Sequence, residues 1–543
     1  MKLADRLVDK GLLTKDQLEK ALERSRVAYK PLPQVLREEN LVSESDLLKV
    51  MAEQHGLEFV VLADMALDQA AIKSVSAKLT SHYSVMPTAL TGKTLTLAVS
   101  NPLDMAPVED IETNLGLRVE RVLACTDDIM KALRKHYGVG ADTVEKILAE
   151  NTDRDDVQVL EESHDLEKMA EDASVVRLVN QLLQEAIEDR ATDIHFEMHR
   201  GEVIVRRRID GVMYDTSIAK NMMLLYPAIV SRIKLMSGLN IVERRMPQDG
   251  RARVRIQNND YDLRISIVPA IHGEDIVIRI LPSTMLFDVG KLGYSDEHLD
   301  SLKHYISQPH GIIFVTGPTG SGKSTTLYAC MSQLNTRDRK IITIEDPVEY
   351  ELKGITQTQI NTKIGLTFAH SLRSMLRHDP DIMMVGEVRD KETAEIATAT
   401  AMTGHLVLST LHTNDAAGGA VRLIDMGIDP YLITSTVQLF IAQRLVRVIC
   451  AECRESYEDN GKTLYRGAGC KNCNNSGFQG RVAIAEFLPL IPEIQELIIA
   501  KSSAKVIRDK ANALGMKTLL QDGQEKVLAG VTTAEELLRV TSI

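Results

Sequence analysis

The chain has 543 residues and a mass of 60.2 kDa, more than a single hydrophobic core usually spans, so several domains are expected. It is acidic, with net charge −12 and a pI near 5.7, and carries no Trp and only 4% aromatic residues. That balance argues against a general nucleic-acid binder, which needs basic surface and stacking platforms. The start, MKLADRLVDKGLL, is charged throughout, and no run of about 18 apolar residues occurs. A cytosolic chain that meets any membrane through partners is expected.

In chain order, a repeat comes first. LADRLVDKGLLTKDQLEKAL (Leu3 to Leu22) recurs as LPQVLREENLVSESDLLKVM (Leu32 to Met51) at an offset of 29. Thr14 and Ser43 stand at helix N-cap positions, each followed by acids in the first turn, so each unit reads as two short amphipathic helices. From 57 to 135, LEFVVL, HYSVMPTAL, TLTLAVS and LRVERVLA read as strands of a small α/β module. Residues 1–140 are taken as one N-terminal domain. An acidic linker, 141–172, follows; from Asn151 to Asp172 nine acids face only Arg154 and Lys168.

Helical periodicity resumes in ASVVRLVNQLLQEAIEDRA. The strands IHFEMH, EVIVRRRIDG, ARVRIQ, DLRISIVPA and DIVIRIL then build an arginine-rich domain over 173–285. In the last domain, 286–543, strands alternate with helices: GIIFVT, KIITIE, DIMMVGE and GHLVLSTLH. A mostly parallel sheet flanked by helices is expected there, with a helical tail after Cys473.

The loop after GIIFVT is GPTGSGKSTT, Gly317 to Thr326. It fits G-x-x-x-x-G-K-[ST] between a strand and a helix, the context in which that motif cradles a triphosphate. Gly317, Pro318, Thr319, Gly320, Ser321, Gly322, Lys323, Ser324 and Thr325 are the candidate nucleotide-binding residues. Gly320 and Gly322 let backbone N–H groups close on phosphate oxygens at a helix N-terminus. Lys323 reaches the β- and γ-phosphates, and Ser324 is placed to ligate Mg²⁺. Glu387 ends a hydrophobic strand, as the metal-site acid of such a fold does. Glu345, Asp346 and Glu349 end another, and spacing leaves open which of them orients water. His405 and His412 flank LVLSTL, where a core role and a phosphate-sensing role compete.

Cys450, Cys453, Cys470 and Cys473 form Cys-x-x-Cys, sixteen residues, Cys-x-x-Cys. That spacing points to a structural Zn²⁺ site, with paired redox cysteines as the alternative. Cys125 and Cys330 read as small buried apolar residues.

GPTGSGKSTT, TIEDPVE, DPDIMMVGEVRD and TGHLVLSTLHTND, in that order, resemble the Walker A, Asp-box, Walker B and His-box motifs of the GspE/PilB family. These secretion ATPases power type II secretion and type IV pilus assembly. ATDIHFE, RRIDGVM, ERRMPQDGR and DLRISIVPAIHGEDIVIRIL extend the resemblance upstream. It implies a multidomain α/β protein: a RecA-like P-loop core, a PAS-like second N-terminal domain and a helical and α+β N-terminal domain. It implies ATP, Mg²⁺ and Zn²⁺ as cofactors, Glu349 as the catalytic glutamate, Glu387 as the Walker B glutamate and His412 near the γ-phosphate. Arg264 and Arg279 are implied to reach the nucleotide from the second N-terminal domain. A homohexamer is implied, held to the inner membrane by platform and cytoplasmic docking proteins that meet residues 1–140.

The N-terminal repeat also resembles tandem cyclic-di-GMP-binding modules. It has KLADRL and PLPQVL where those favour Arg-Leu-Gly, so docking is the plainer expectation. A nucleic-acid translocase and a regulatory nucleotide switch are the rival readings of the whole.

Overall fold

The computed structural model describes residues 3–138, 141, 144 and 170–542, apart from 29, 40, 220, 284, 286 and 460. Most of the acidic linker expected at 141–172 lies outside the described residues. The chain divides into two compact units. One comprises Met1–Val254 with Leu263–Ile280, the other Arg255–Asp262 with Leu281–Ile543.

The first unit begins with the repeat. Helices Leu3–Asp9 and Lys15–Ala28 form one copy, and Leu32–Glu38 and Glu44–His55 the other. The caps form as their residue types require. The Gln17 amide donates to Thr14 Oγ1 at 3.3 Å, and the Asp46 amide donates to Ser43 Oγ at 3.1 Å. Leu7 and Leu36, equivalent positions in the two copies, are both fully buried. Each such leucine contributes about 1.5–3 kcal/mol by leaving water, which holds short helices that would not persist alone.

Downstream, strands Glu58–Phe59, Arg118–Leu123, Thr94–Val99 and Met86–Thr91 make a sheet in that order. The start of HYSVMPTAL is not strand: His82 and Tyr83 end the helix Ala77–Tyr83. Cys125 is only partly buried, because it stands at the exposed start of helix Thr126–Tyr137.

A six-stranded sheet follows, ordered Val212–Thr216, Glu202–Ile209, Ala191–His199, Gly273–Pro282, Asn259–Ala270 and Gln248–Ile256. Helices Ala173–Glu188 and Met222–Met236 accompany it.

The second unit is built on a seven-stranded sheet. Its order is Thr356–Gln359, Ile341–Glu345, Ile382–Val385, Leu406–Leu411, Gly311–Thr316, Val437–Ile449 and Phe478–Pro489. All pairs are parallel except the last, which is antiparallel. Strands buried on both faces must be apolar along their length. Every residue of Gly311–Thr316, Ile382–Val385 and Leu406–Leu411 is buried. Ile312, Phe314 and Val407 point into one core with the alanine-rich helix Lys391–Met402. Ile313, Val315 and Leu408 point into the other, with Leu327 and Met331 of helix Lys323–Leu334.

The tail after Cys473 is not wholly helical. Phe478–Pro489 completes the sheet before helices Pro492–Ile499, Ala504–Ala513, Leu519–Leu528 and Ala534–Thr541. Among the described residues, no helix is long and apolar enough to cross a membrane.

Candidate nucleotide and zinc sites

Strand register gathers the candidate residues at one edge of the sheet. Thr316 pairs with Leu411, Ser409 with Val385, and Val385 with Ile344. The P-loop, His412, Glu387 and the acids 345–349 therefore all leave the carboxyl ends of adjacent parallel strands, where open α/β sheets bind ligands. Thr316 Oγ1 accepts the Thr413 amide at 2.9 Å, so the chain carrying His412 is fixed to the strand carrying the P-loop.

The loop needs its glycines for conformation and for space. Gly320 and Gly322 sit at φ 79° and 87°. A Cβ at Gly322 would come within 2.7 Å of Gln443 Nε2. Helix Lys323–Leu334 starts here and points its N-terminus at the loop. Lys323 Nζ donates to the carbonyls of Gly317 and Pro318, at 2.8 and 3.0 Å, folding the side chain over the loop. Burial pulls the Lys323 amine down to about 8; the Glu387 charge opposes that shift, and Arg444 adds to it.

Glu387 is nearly enclosed and has two partners. Arg389 pairs with its Oε1, and His412 Nε2 lies 3.3 Å from its Oε2. His412 is half exposed at the end of its strand. His405, at the strand's other end, has Nδ1 3.0 Å from the Thr400 carbonyl and so takes a structural place.

Among the three acids left open, burial separates Glu345 from the others. Glu345 is buried, with Oε1 accepting from Thr343 and Gln357 and Oε2 from Tyr328. Its capacity is used inside the protein. Asp346 is exposed and Glu349 half-buried, both beyond the strand end.

The four cysteines converge. Sγ atoms of Cys450 and Cys470, Cys453 and Cys473, and Cys470 and Cys473 lie 3.7, 3.8 and 3.7 Å apart, and all four lie within 4.8 Å of one another. A tetrahedron with Zn–S bonds of about 2.3 Å has edges of about 3.8 Å, so the cluster fits zinc. Amides of Gly469, Cys470 and Gly477 donate to the sulfurs of Cys453 and Cys473, which suits thiolates. The residues between the knuckles form the hairpin Arg454–Asp459 and Lys462–Gly467.

Residues 168–539 match the family model described as Type II/IV secretion system protein, and residues 55–143 match the MshEN domain. The chain belongs to the type II/IV secretion system protein family. The type IV pilus assembly ATPase PilB of Myxococcus xanthus is 39% identical, over 100% of this chain and 99% of that protein. The type II secretion system protein E of Xanthomonas campestris is also 39% identical, over 99% of this chain and 98% of its own. Among solved structures, the Legionella pneumophila ATPase DotB shares the fold, with TM-score 0.51 and 24% identity over 67% of this chain and 95% of its own.

As a member of the GspE/PilB group of this family, the chain is a motor ATPase of a type IV pilus assembly or type II secretion machine. The expected multidomain α/β fold is borne out. Arg264 and Arg279 lie in the first unit, on strands Asn259–Ala270 and Gly273–Pro282. Arg279 Nε donates to Asp193 Oδ1 at 3.0 Å with its side chain half exposed.

The motifs miss two residues that support this loop and its surroundings. On the strand Val437–Ile449, Gln443 Nε2 donates to the Ser321 carbonyl at 2.8 Å, and Gln443 Oε1 accepts from Thr326 at 2.8 Å. Arg444, buried beside it, donates to the carbonyls of Gln443 and Asn414, both at 3.0 Å. Two adjacent polar residues inside the apolar run VQLFIAQRLVRVI are the signal that could have found them.

Proposed function

We propose that the chain hydrolyses ATP with Mg²⁺ at this edge of the sheet. Hydrolysis would move the arginine-bearing domain against the P-loop domain and so drive assembly of a pilus or pseudopilus. The observation that supports the reading is the strand register, from which the P-loop with Lys323, Glu387 and His412 all follow the carboxyl ends of neighbouring strands. Lys323 holds the β- and γ-phosphates. Ser324 and Glu387 would hold Mg²⁺, which when bound neutralises charge developing on the phosphate oxygens. Glu349, the position that the family resemblance gives to the catalytic glutamate, orients the attacking water and takes its proton; Glu345 is committed elsewhere. Glu387 orients His412 towards the γ-phosphate. Arg264 and Arg279 meet that phosphate when the domains close, a contribution worth about 10³–10⁵ in rate for arginines so used.

Four cysteines leave no open ligand position, so the zinc role is structural. The working form is a homohexamer in the cytoplasm, held at the inner membrane by platform and docking proteins that residues 1–140 engage. Partner docking is assigned to the N-terminal repeat, with cyclic-di-GMP as the second candidate ligand, and no nucleic acid is needed. The test is Arg279→Ala in the full chain. Turnover should fall by at least about 10²-fold with nucleotide affinity kept; unchanged turnover would remove the arginine-bearing domain from the reaction.

A further inference from the structure

Behind the P-loop a buried tyrosine touches the acidic loop. Tyr328, on helix Lys323–Leu334, has no exposed surface. Its hydroxyl donates to Glu345 Oε2 and accepts the backbone N–H of Glu349 at 3.1 Å. Gln357 braces the same loop from the other side. Its Nε2 donates to Glu345 Oε1 at 3.1 Å and to the Tyr350 carbonyl at 2.9 Å, and its Oε1 accepts the Leu352 amide at 2.6 Å. The main chain around Glu349 is thus pinned at residues 349, 350 and 352.

A buried carboxylate must be hydrogen-bonded, and Glu345 is, on both oxygens. It serves as a fixed anchor from which Tyr328 measures the position of Glu349. The Tyr328 ring also packs against Phe287 and Tyr350, with centroids 5.2 and 5.9 Å away, and Phe287 lies 5.3 Å from Tyr350. Phe287 belongs to the segment that follows the arginine-bearing strand Gly273–Pro282 in the chain.

We propose that Tyr328 is a positioning residue for hydrolysis. It sets where the Glu349 carboxylate meets the attacking water, and Phe287 makes that position sensitive to the connecting segment. The inference rests on the role given to Glu349 above. A reacting group displaced by about 1 Å can lose about 10²-fold in rate while substrate still binds.

The experiment measures kcat, KM and binding of a fluorescent ATP analogue for full-length Tyr328→Phe, Phe287→Ala and Glu349→Gln. Tyr328→Phe should lower kcat by about 10- to 100-fold with KM and analogue affinity within about threefold of wild type. Phe287→Ala should move kcat the same way, again without loss of analogue binding. A Tyr328→Phe kcat within about twofold of wild type overturns the proposal, and so does a parallel loss of analogue binding, which marks general damage. If Tyr328→Phe does not fold, Gln357→Leu is read by the same criteria. Glu349→Gln separates the two levels. If it turns over normally, the role of Glu349 falls and this proposal with it. If it is inactive while Tyr328→Phe is normal, only this proposal falls.

Discussion

His412 Nε2 lies 3.3 Å from Oε2 of Glu387, across the adjacent parallel strands Ile382–Val385 and Leu406–Leu411. The pair joins the His-box and Walker B segments, 25 residues apart in sequence, directly at the P-loop edge. A carboxylate so placed orients the imidazole. His412→Ala should therefore lower kcat by roughly 10- to 10²-fold while leaving ATP affinity nearly unchanged. Steady-state kinetics beside equilibrium binding checks this, and a rise in KM alone would contradict it.

Lys323 makes a pH prediction. Burial brings its amine down to about 8, so the ammonium that attracts phosphate is lost as pH rises through that value. kcat/KM, which reports the free enzyme, should fall above about pH 8. Bound triphosphate favours the charged amine, so kcat should hold to higher pH. Lys323→Ala should abolish turnover, because no other cation of the loop replaces it.

How much of this was legible in sequence follows from how local each feature is. The P-loop is one contiguous stretch whose glycines, lysine and flanking strand carry the signal together. That Glu345, of the acids Glu345, Asp346 and Glu349, is taken up inside the protein was not legible by spacing, because it depends on Tyr328 and Gln357 enclosing it. Gln443 supports Ser321 from 122 residues away, a contact no local pattern contains. The strand Phe478–Pro489 escaped because VAIAEFL is rich in good helix formers. Pairing with Val437–Ile449 overrides that preference, since Ile441 aligns with Phe487 and Leu445 with Ala483 in the core.

The cysteine cluster predicts about one zinc per chain by elemental analysis of metal-replete protein. Cys470→Ser should reduce the zinc content and lower the melting temperature, because the hairpin Arg454–Asp459 and Lys462–Gly467 loses its closure. Metal-replete protein free of zinc would contradict the assignment.

Glu536 fastens the last helix to the core. Its side chain is fully buried, and Arg539 and Arg447 donate to it at 2.6 and 2.9 Å. Burial pushes its carboxyl up, but the hydrogen bonds from Arg539 and Arg447 win and hold it at about 2. A carboxyl held low contributes stability that is present above its ordinary value of 4.5 and lost as pH falls towards 2. Glu536→Gln should cost about 3–5 kcal/mol at pH 7, the range for breaking a buried pair. The gap from wild type should narrow in denaturant titrations as pH drops below about 4; a gap independent of pH would contradict the pairing.

Glu349→Gln tests the hydrolysis site most directly, because Gln keeps the size of the side chain and removes only its ability to take a proton. Purified full-length variant should bind ATP with wild-type affinity and hydrolyse it at less than about 1% of the wild-type rate. Wild-type turnover by Glu349→Gln would contradict the assignment of this edge of the sheet as the place where water is activated.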